Sequence, residues 1–347
     1  MKPSSWDQSR LEKILEQMRG KKILVVGDVG LDRYTIGSVE RISPEAPVPV
    51  VLVEEEKLKL GLAANVADNI CVLNGVPLLM GVIGQDQNAE IFKNLLISTG
   101  IESSYLVPDP SRRTILKERV VSEQQQLLRI DYESLHQVDL KIEAQVLNKI
   151  NEICDQVDGV ILEDYSKGTL TGTLIQSILT LFKKKGKIVA VDPNLSTPLE
   201  YYHGASILTP NTKEAEHLSQ IFIRDEDSLR RAGFFILKSA EAQFVVITRG
   251  KEGMALFSYE NSKNQCYENL TMKLIPTYAR QVYDVSGAGD TVISVLVLSL
   301  VSGASLEEAS ILGNIAAGVE VGKRGTATVS PDEVRSYLNR LISMPTV

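Results

Sequence analysis

Cysteine is scarce in this chain of 347 residues, and the three that occur (Cys71, Cys154 and Cys266) are scattered. They form neither a disulfide framework nor the paired spacing of a metal knuckle, so a reduced, cytoplasmic setting is the economical reading. Histidine is as scarce. His136, His203 and His217 cluster with no cysteines or acidic pairs, which leaves no ground for a zinc site or for Ser-His-Asp chemistry. No apolar run is long and charge-free enough to span a bilayer. Where a signal peptide needs an apolar stretch, the N-terminus carries Asp7, Arg10, Glu12, Lys13 and Glu16. Leu11, Ile14, Leu15 and Met18 fall on one face there, which predicts a short amphipathic helix. Dense basic runs are also missing, and a net charge of -7 argues against a nucleic-acid partner. Finally, the Gly-Lys pairs (Gly20-Lys21, Gly186-Lys187, Gly250-Lys251, Gly322-Lys323) lack the Ser/Thr and the upstream glycine of a P-loop.

What is present is alternation. β-rich runs at Ile23–Val26, Leu78–Ile83, Val160–Leu162, Ile188–Val191, Ser206–Leu208, Phe244–Thr248 and Met254–Ser258 are separated by helical patterns near 88–98, 140–157, 173–185 and 225–239. This predicts an α/β fold, a doubly wound, mostly parallel sheet flanked by helices, with all 347 residues in a single domain. Two stretches break the alternation, about 34–55 and 103–131, where Val, Ile and Thr alternate with polar residues and no helix intervenes. They are expected to form a small β-sheet lid, serving to close over a substrate, to dimerise the chain, or both.

The most informative run is Asp284-Val285-Ser286-Gly287-Ala288-Gly289-Asp290-Thr291. It follows an apolar-polar segment, Ile275 to Val282, that reads as a strand, and it opens the apolar stretch Val292–Val301. Strand, glycine turn and helix start in that order aim several amides at one spot with the helix dipole behind them, a place for a phosphate or a developing anion. Asp290 in the first turn is positioned to accept a proton from an attacking hydroxyl. A tight turn with a capping Asp is the plainer alternative, and the turn lacks the third glycine of a dinucleotide fingerprint.

Other constellations follow the strands. Asp28 and Asp32, after the first strand, lie where ligands bind in open α/β sheets, or cap turns. Gly61 to Ala67 are small residues leading into a helix, with Asn65 as donor and acceptor. Asn211-Thr212-Lys213-Glu214 reads as a capping box or as a holder of magnesium-bound water. The Thr248–Gly253 turn has glycines to admit a nucleotide. Lys117, Arg119 and Arg129 lie on the second excursion, and Lys117 and Arg119 share a face, either solvated or turned toward a phosphorylated substrate.

On these residues the chain resembles the ribokinase-like (PfkB) carbohydrate kinases over nearly its whole length. Asp284–Thr291 is similar to that family's C-terminal signature, Gly61–Asn65 to its N-terminal one, and Asn211–Glu214 to its Asn-x-x-Glu motif. Within the family it looks most like the D-glycero-β-D-manno-heptose 7-phosphate kinases, through Gly27 to Tyr34, Arg41 to Val50, Asp164-Tyr165-Ser166-Lys167-Gly168, Gln125-Gln126 and Gly318 to Gly325.

The resemblance implies Asp290 as general base and Gly287, Ala288 and Gly289 as anion hole. It implies Asp28, Asp32, Gly61, Asn65, Lys117, Arg119, Gln126, Asp164 and Lys167 at the sugar phosphate. ATP would be served by Asn211, Thr212, Lys213, Glu214, Thr248, Arg249, Gly250, Gly253 and Asn314, with Mg²⁺ held through water by Glu214 and Asn211 and a monovalent cation such as K⁺ admitted. It further implies a homodimer through the lid and a product destined for ADP-heptose and lipopolysaccharide core. No nucleotidylyltransferase domain is read here, so a separate adenylyltransferase is expected downstream. Departures are Leu62 for a second glycine, Gly30 for Met, Asn194 for Lys and Ser286 for Thr. A kinase for another sugar or a nucleoside, and a catalytically retired sugar-binding regulator, stand as the other readings.

Overall fold

The runs read as buried strands are apolar toward both faces, and they form the centre of an eight-stranded sheet in the computed structural model. It describes residues 7–122, 125–260, 266–279, 282–323 and 327–343. The strands are β1 (Lys22–Gly27), β4 (Val76–Met80), β9 (Gly159–Glu163), β10 (Ile188–Asp192), β11 (Ile207–Leu208) and β12 (Phe244–Thr248), all parallel. β13 (Met254–Tyr259) and β14 (Leu270–Ile275) complete one edge antiparallel. The order β14-β13-β12-β11-β10-β9-β1-β4 reverses direction at β1/β9, the switch point where open sheets place ligands.

Along β1 the side chains alternate between two cores. Ile23 and Val25 face one side with the helices α1 (Gln8–Gln17), α2 (Ala63–Val72), α8 (Ala288–Val301), α9 (Leu306–Glu320) and α10 (Pro331–Ser343). Leu24 and Val26 face the other, with α4 (Leu140–Ile153), α5 (Gly172–Lys184), α6 (Thr212–Ser219) and α7 (Glu226–Ser239). α8 is apolar all round because it is wrapped by sheet and helices, with Val295 to Leu298 fully buried. The amphipathic N-terminal helix forms as expected: Asp7 caps it, and Leu11, Ile14 and Leu15 are buried.

The lid is a four-stranded sheet of β2 (Val29–Ile42), β3 (Pro49–Leu62), β7 (Ile115–Ser122) and β8 (Gln125–Tyr132). β2 and β7 pair in parallel at its centre, with β3 and β8 antiparallel outside. Its first part therefore runs beyond 34–55 at both ends, and its second takes only the later portion of 103–131. The helix α3 (Gln87–Ser98) supports one face, where Phe92 and Leu96 join Leu31, Leu60 and Leu116 in the core. β1 and β2 are separated by Asp28 alone.

Two strand expectations are corrected. Leu78–Ile83 breaks at Gly81 into β4 and β5 (Val82–Ile83), the latter paired with β6 (Val107–Pro108); Gly81 packs so closely on Val29 that a Cβ there would meet it at 2.5 Å. Of the expected strand Ile275–Val282, β14 takes only Ile275 among the described residues: 276–279 form no strand and are held on α9 by Asn314, and residues 280 and 281 lie outside the described residues. Beyond them Tyr283 N–H donates to O of Val321, the residue after α9, at 2.7 Å. No helix among the described residues is long and apolar enough to cross a membrane.

Candidate active site

The carboxyl ends of β1, β9 and β10 meet the N-terminus of α8. Gly287 caps that helix with φ 96°, a backbone that favours glycine, and the amides of Ala288, Gly289 and Asp290 follow in its first turn without intrahelical acceptors. Asp290 is half-buried. Asn65 Nδ2 donates to its Oδ2 at 2.6 Å and Tyr165 Oη to its Oδ1 at 3.0 Å. Withdrawal from water raises its pKa to about 6; the two donors and Lys117 restrain the rise, while Asp32 adds to it.

Behind Asp290, carboxylate oxygens of Glu163 and Asp192 lie within 4.8 Å of it and of each other. Glu163 is buried and neither of its oxygens has a hydrogen-bond partner. Burial, then the Asp192 and Asp290 charges, push its pKa well up. Burial and the charge of Glu214 do the same to Asp192, against a 3.0 Å hydrogen bond from Thr209. These hard oxygen donors suit a divalent cation.

The lid contributes a cross-strand row. Register aligns Lys59, Asp32, Lys117 and Asp131, and beside it Lys57, Tyr34, Arg119 and Arg129. Arg119 pairs with Asp32, Arg129 with Asp131 and Lys167 with Glu133. Lys117 forms no ion pair among the described residues; its Nζ lies 5.6 Å from the Tyr165 ring centroid, and burial lowers its pKa. Gly61 packs against Asp32, where a Cβ would sit 2.8 Å from Oδ2. Asp32, Gly61, Asn65, Lys117, Arg119 and Asp290 are thus brought together.

Several expected site residues do other work. Asp28 is fully buried and accepts the amides of Lys167 and Thr169 at 2.9 and 3.0 Å, so it anchors the loop 164–169 and presents no surface to a sugar. Asp164 accepts from Ser166 N, Thr197 Oγ1 and Tyr202 Oη and is likewise structural. The Asn314 amide is spent on Pro276 O and Tyr278 N, holding the segment before the glycine turn rather than a base. Gln126 is exposed opposite Val121, four residues along β7 from Lys117, which is roughly 13 Å at strand rise. Gly325, at the end of the run from Gly318, lies outside the described residues.

On the nucleotide side, Asn211 and Glu214 form a full capping box on α6, with Glu214 Oε2 accepting the Asn211 amide at 2.8 Å. Burial raises the Glu214 pKa while the Asn211 donors lower it. Asn211 bridges Thr248, and the Thr248 amide donates to Pro210 O at 3.0 Å, so both expected nucleotide segments lie side by side. Gly253 holds φ 83° where a Cβ would meet Ile275 O at 2.0 Å, and Arg249 pairs with Glu252. Lys213 instead lines an outer groove with Glu216, His217 and Phe222.

Glu163, Tyr165 and Asp192 were missed as site residues by the sequence reading. The signal was an acidic or aromatic side chain immediately after a buried apolar strand.

A family model described as pfkB family carbohydrate kinase matches residues 21–333. The bifunctional protein HldE of Geobacter sulfurreducens is 42% identical over 94% of this chain and 65% of its own length. HldE of Helicobacter hepaticus is 40% identical over 93% of this chain and 65% of its own length. The chain thus spans a little under two-thirds of these relatives. A ribokinase of Arabidopsis thaliana complexed with ribose and ATP superposes with a TM-score of 0.69 at 19% identity, over 94% of this chain and all of that one. Phosphofructokinase-2 of Escherichia coli in complex with potassium gives 0.74 at 22%, over 93% and 99%.

Proposed function

The chain belongs to the pfkB family of carbohydrate kinases, and on that premise we propose that it transfers a phosphoryl group from ATP to the anomeric hydroxyl of D-glycero-β-D-manno-heptose 7-phosphate, giving the 1,7-bisphosphate for ADP-heptose. The observation that carries this reading is the gripped carboxylate of Asp290, set in the first turn of α8 and facing an unpaired cation, Lys117, from the lid. Asp290 accepts the proton of the attacking hydroxyl, and the amides of Ala288 and Gly289 stabilise charge on the transferring group. Asp32 and Asn65 orient the sugar, and Lys117 meets its phosphate.

Glu214 and Asn211 would hold Mg²⁺ through water, with the Asp192 and Glu163 oxygens close by as further ligands. The cation supplies charge neutralisation on the nucleotide phosphates. Thr248, Arg249, Gly250 and Gly253 line the nucleotide's side. We also propose a homodimer formed through the lid.

The test is ADP release with Mg-ATP, with and without K⁺, against heptose 7-phosphate, fructose 6-phosphate, ribose, adenosine and no sugar. Turnover with heptose 7-phosphate, lost on the order of 10²–10⁴-fold in Asp290→Asn and showing a raised KM in Lys117→Ala, is the expected result. Preference for another acceptor would replace the heptose, and silence across the panel would end the kinase reading.

A further inference from the structure

Tyr165 touches both halves of the proposed chemistry. Its hydroxyl donates to Asp290 Oδ1 at 3.0 Å, and the face of its ring lies 5.6 Å from Lys117 Nζ. One rigid side chain therefore spans from the base to the lid cation. A carboxyl group bonded at a single oxygen can turn about its last torsion. Asp290 is bonded at both, by Asn65 on Oδ2 and Tyr165 on Oδ1, so its plane is fixed.

The loop that carries Tyr165 is overdetermined. Asp28 accepts two of its amides, and Asp164 accepts a third together with the hydroxyls of Thr197 and Tyr202 at 2.6 Å each. Ser166 is held at φ 54°, a conformation a serine adopts only under constraint. Gly168 follows at φ 96°, where a Cβ would lie 2.2 Å from His136 O. Such a mounting belongs to a side chain whose position matters. Lys117, by contrast, sits on the lid strand β7 with its ammonium beside the Tyr165 ring and in no ion pair among the described residues.

We infer that Tyr165 is a positioning residue that couples recognition of the sugar's phosphate to the orientation of the base. Its hydroxyl fixes the Asp290 carboxylate for proton transfer, and its ring holds the Lys117 ammonium in the path of the phosphate. This rests on the kinase reading above. The two roles reside in different atoms and are separable by substitution.

Steady-state ADP release by the full chain tests it, with thermal melts of each variant to confirm folding. Tyr165→Phe keeps the ring and loses the hydroxyl: kcat is expected to fall about 10- to 100-fold, the usual weight of a hydrogen bond to a charged group, with KM for the sugar phosphate within about twofold. Tyr165→Leu loses both, and KM rises as well, by roughly three- to thirtyfold. Adding Lys117→Ala then raises KM little further in the Leu background, yet by its full wild-type factor in the Phe background. A Phe variant with wild-type kcat overturns the inference, and so do independent KM effects of Tyr165→Leu and Lys117→Ala. The hydroxyl's part is read with whichever acceptor turns over. A wrong sugar therefore abolishes heptose 7-phosphate turnover in the wild-type chain, whereas a wrong role for Tyr165 leaves Phe equal to Tyr.

Discussion

At Asp290 two influences oppose each other. The Asn65 and Tyr165 donors, the Lys117 charge and the α8 dipole favour the carboxylate, while burial and the charge of Asp32 favour the acid. The second set wins, and the group titrates near 6. Only the ionised form accepts a proton, so kcat/KM should rise with pH and level off above about 6, losing about tenfold per unit below it. A profile flat from pH 5 to 8 would remove Asp290 as the titrating base. The place of this residue, in the first turn of a helix behind a glycine turn, was legible in Asp284–Thr291. The division of labour among the other acids was not. Residue type and strand end place Asp28 and Asp164 near the site, but only the fold reveals that both are buried and bonded to the amides and hydroxyls of neighbouring loops.

Among elements, the junction of β3 with α2 stands out. Leu62 holds φ 59° and ψ -139°, a region costing a residue with a side chain on the order of 1–3 kcal/mol, and its side chain is only 7% exposed. Leu62→Ala gives up the burial and keeps the strain; Leu62→Gly gives up the same burial and releases it. The glycine variant should therefore be more stable than the alanine variant, by about 1 kcal/mol, reversing their usual order. Denaturant midpoints decide the matter, and the ordinary Ala-over-Gly order would remove the strain. The departure from glycine was visible in the sequence; the reason it matters, a backbone that stays left-handed without one, was not. Elements were read best where a buried apolar run had turn residues at both ends, as in β1, β9 and β12. The reading failed at Pro276, because docking onto α9 overrides local β preference.

For the molecule as a whole, the alternation of strands and helices was enough to give the wound sheet. The lid's register, which aligns Asp32 with Lys117 and Lys59, depends on pairing between distant segments that no local pattern encodes. The lid also exposes apolar side chains, among them Ile42, Leu52 and Leu128, with Leu52 63% accessible. In the homodimer we propose, these are covered by a second copy. The chain should sediment as a dimer, and Leu52→Glu with Leu128→Glu should yield monomers at micromolar concentration; a wild-type monomer would refute the lid contact.

The root of the lid also has a bearing on how such a chain can diverge. β1 passes into β2 through Asp28, whose carbonyl accepts the Ala63 amide at 3.0 Å where β3 gives way to α2, while its carboxylate secures the Tyr165 loop. Mutational freedom is therefore distributed unevenly along one hairpin. Near Asp28 almost any change is felt at once by two strands, a helix and the base, and selection has little to sort. At the opposite end, the turn closed by Ser43 N–H to Val48 O carries none of those attachments. A change of length in that turn leaves the attachments at Asp28 in place.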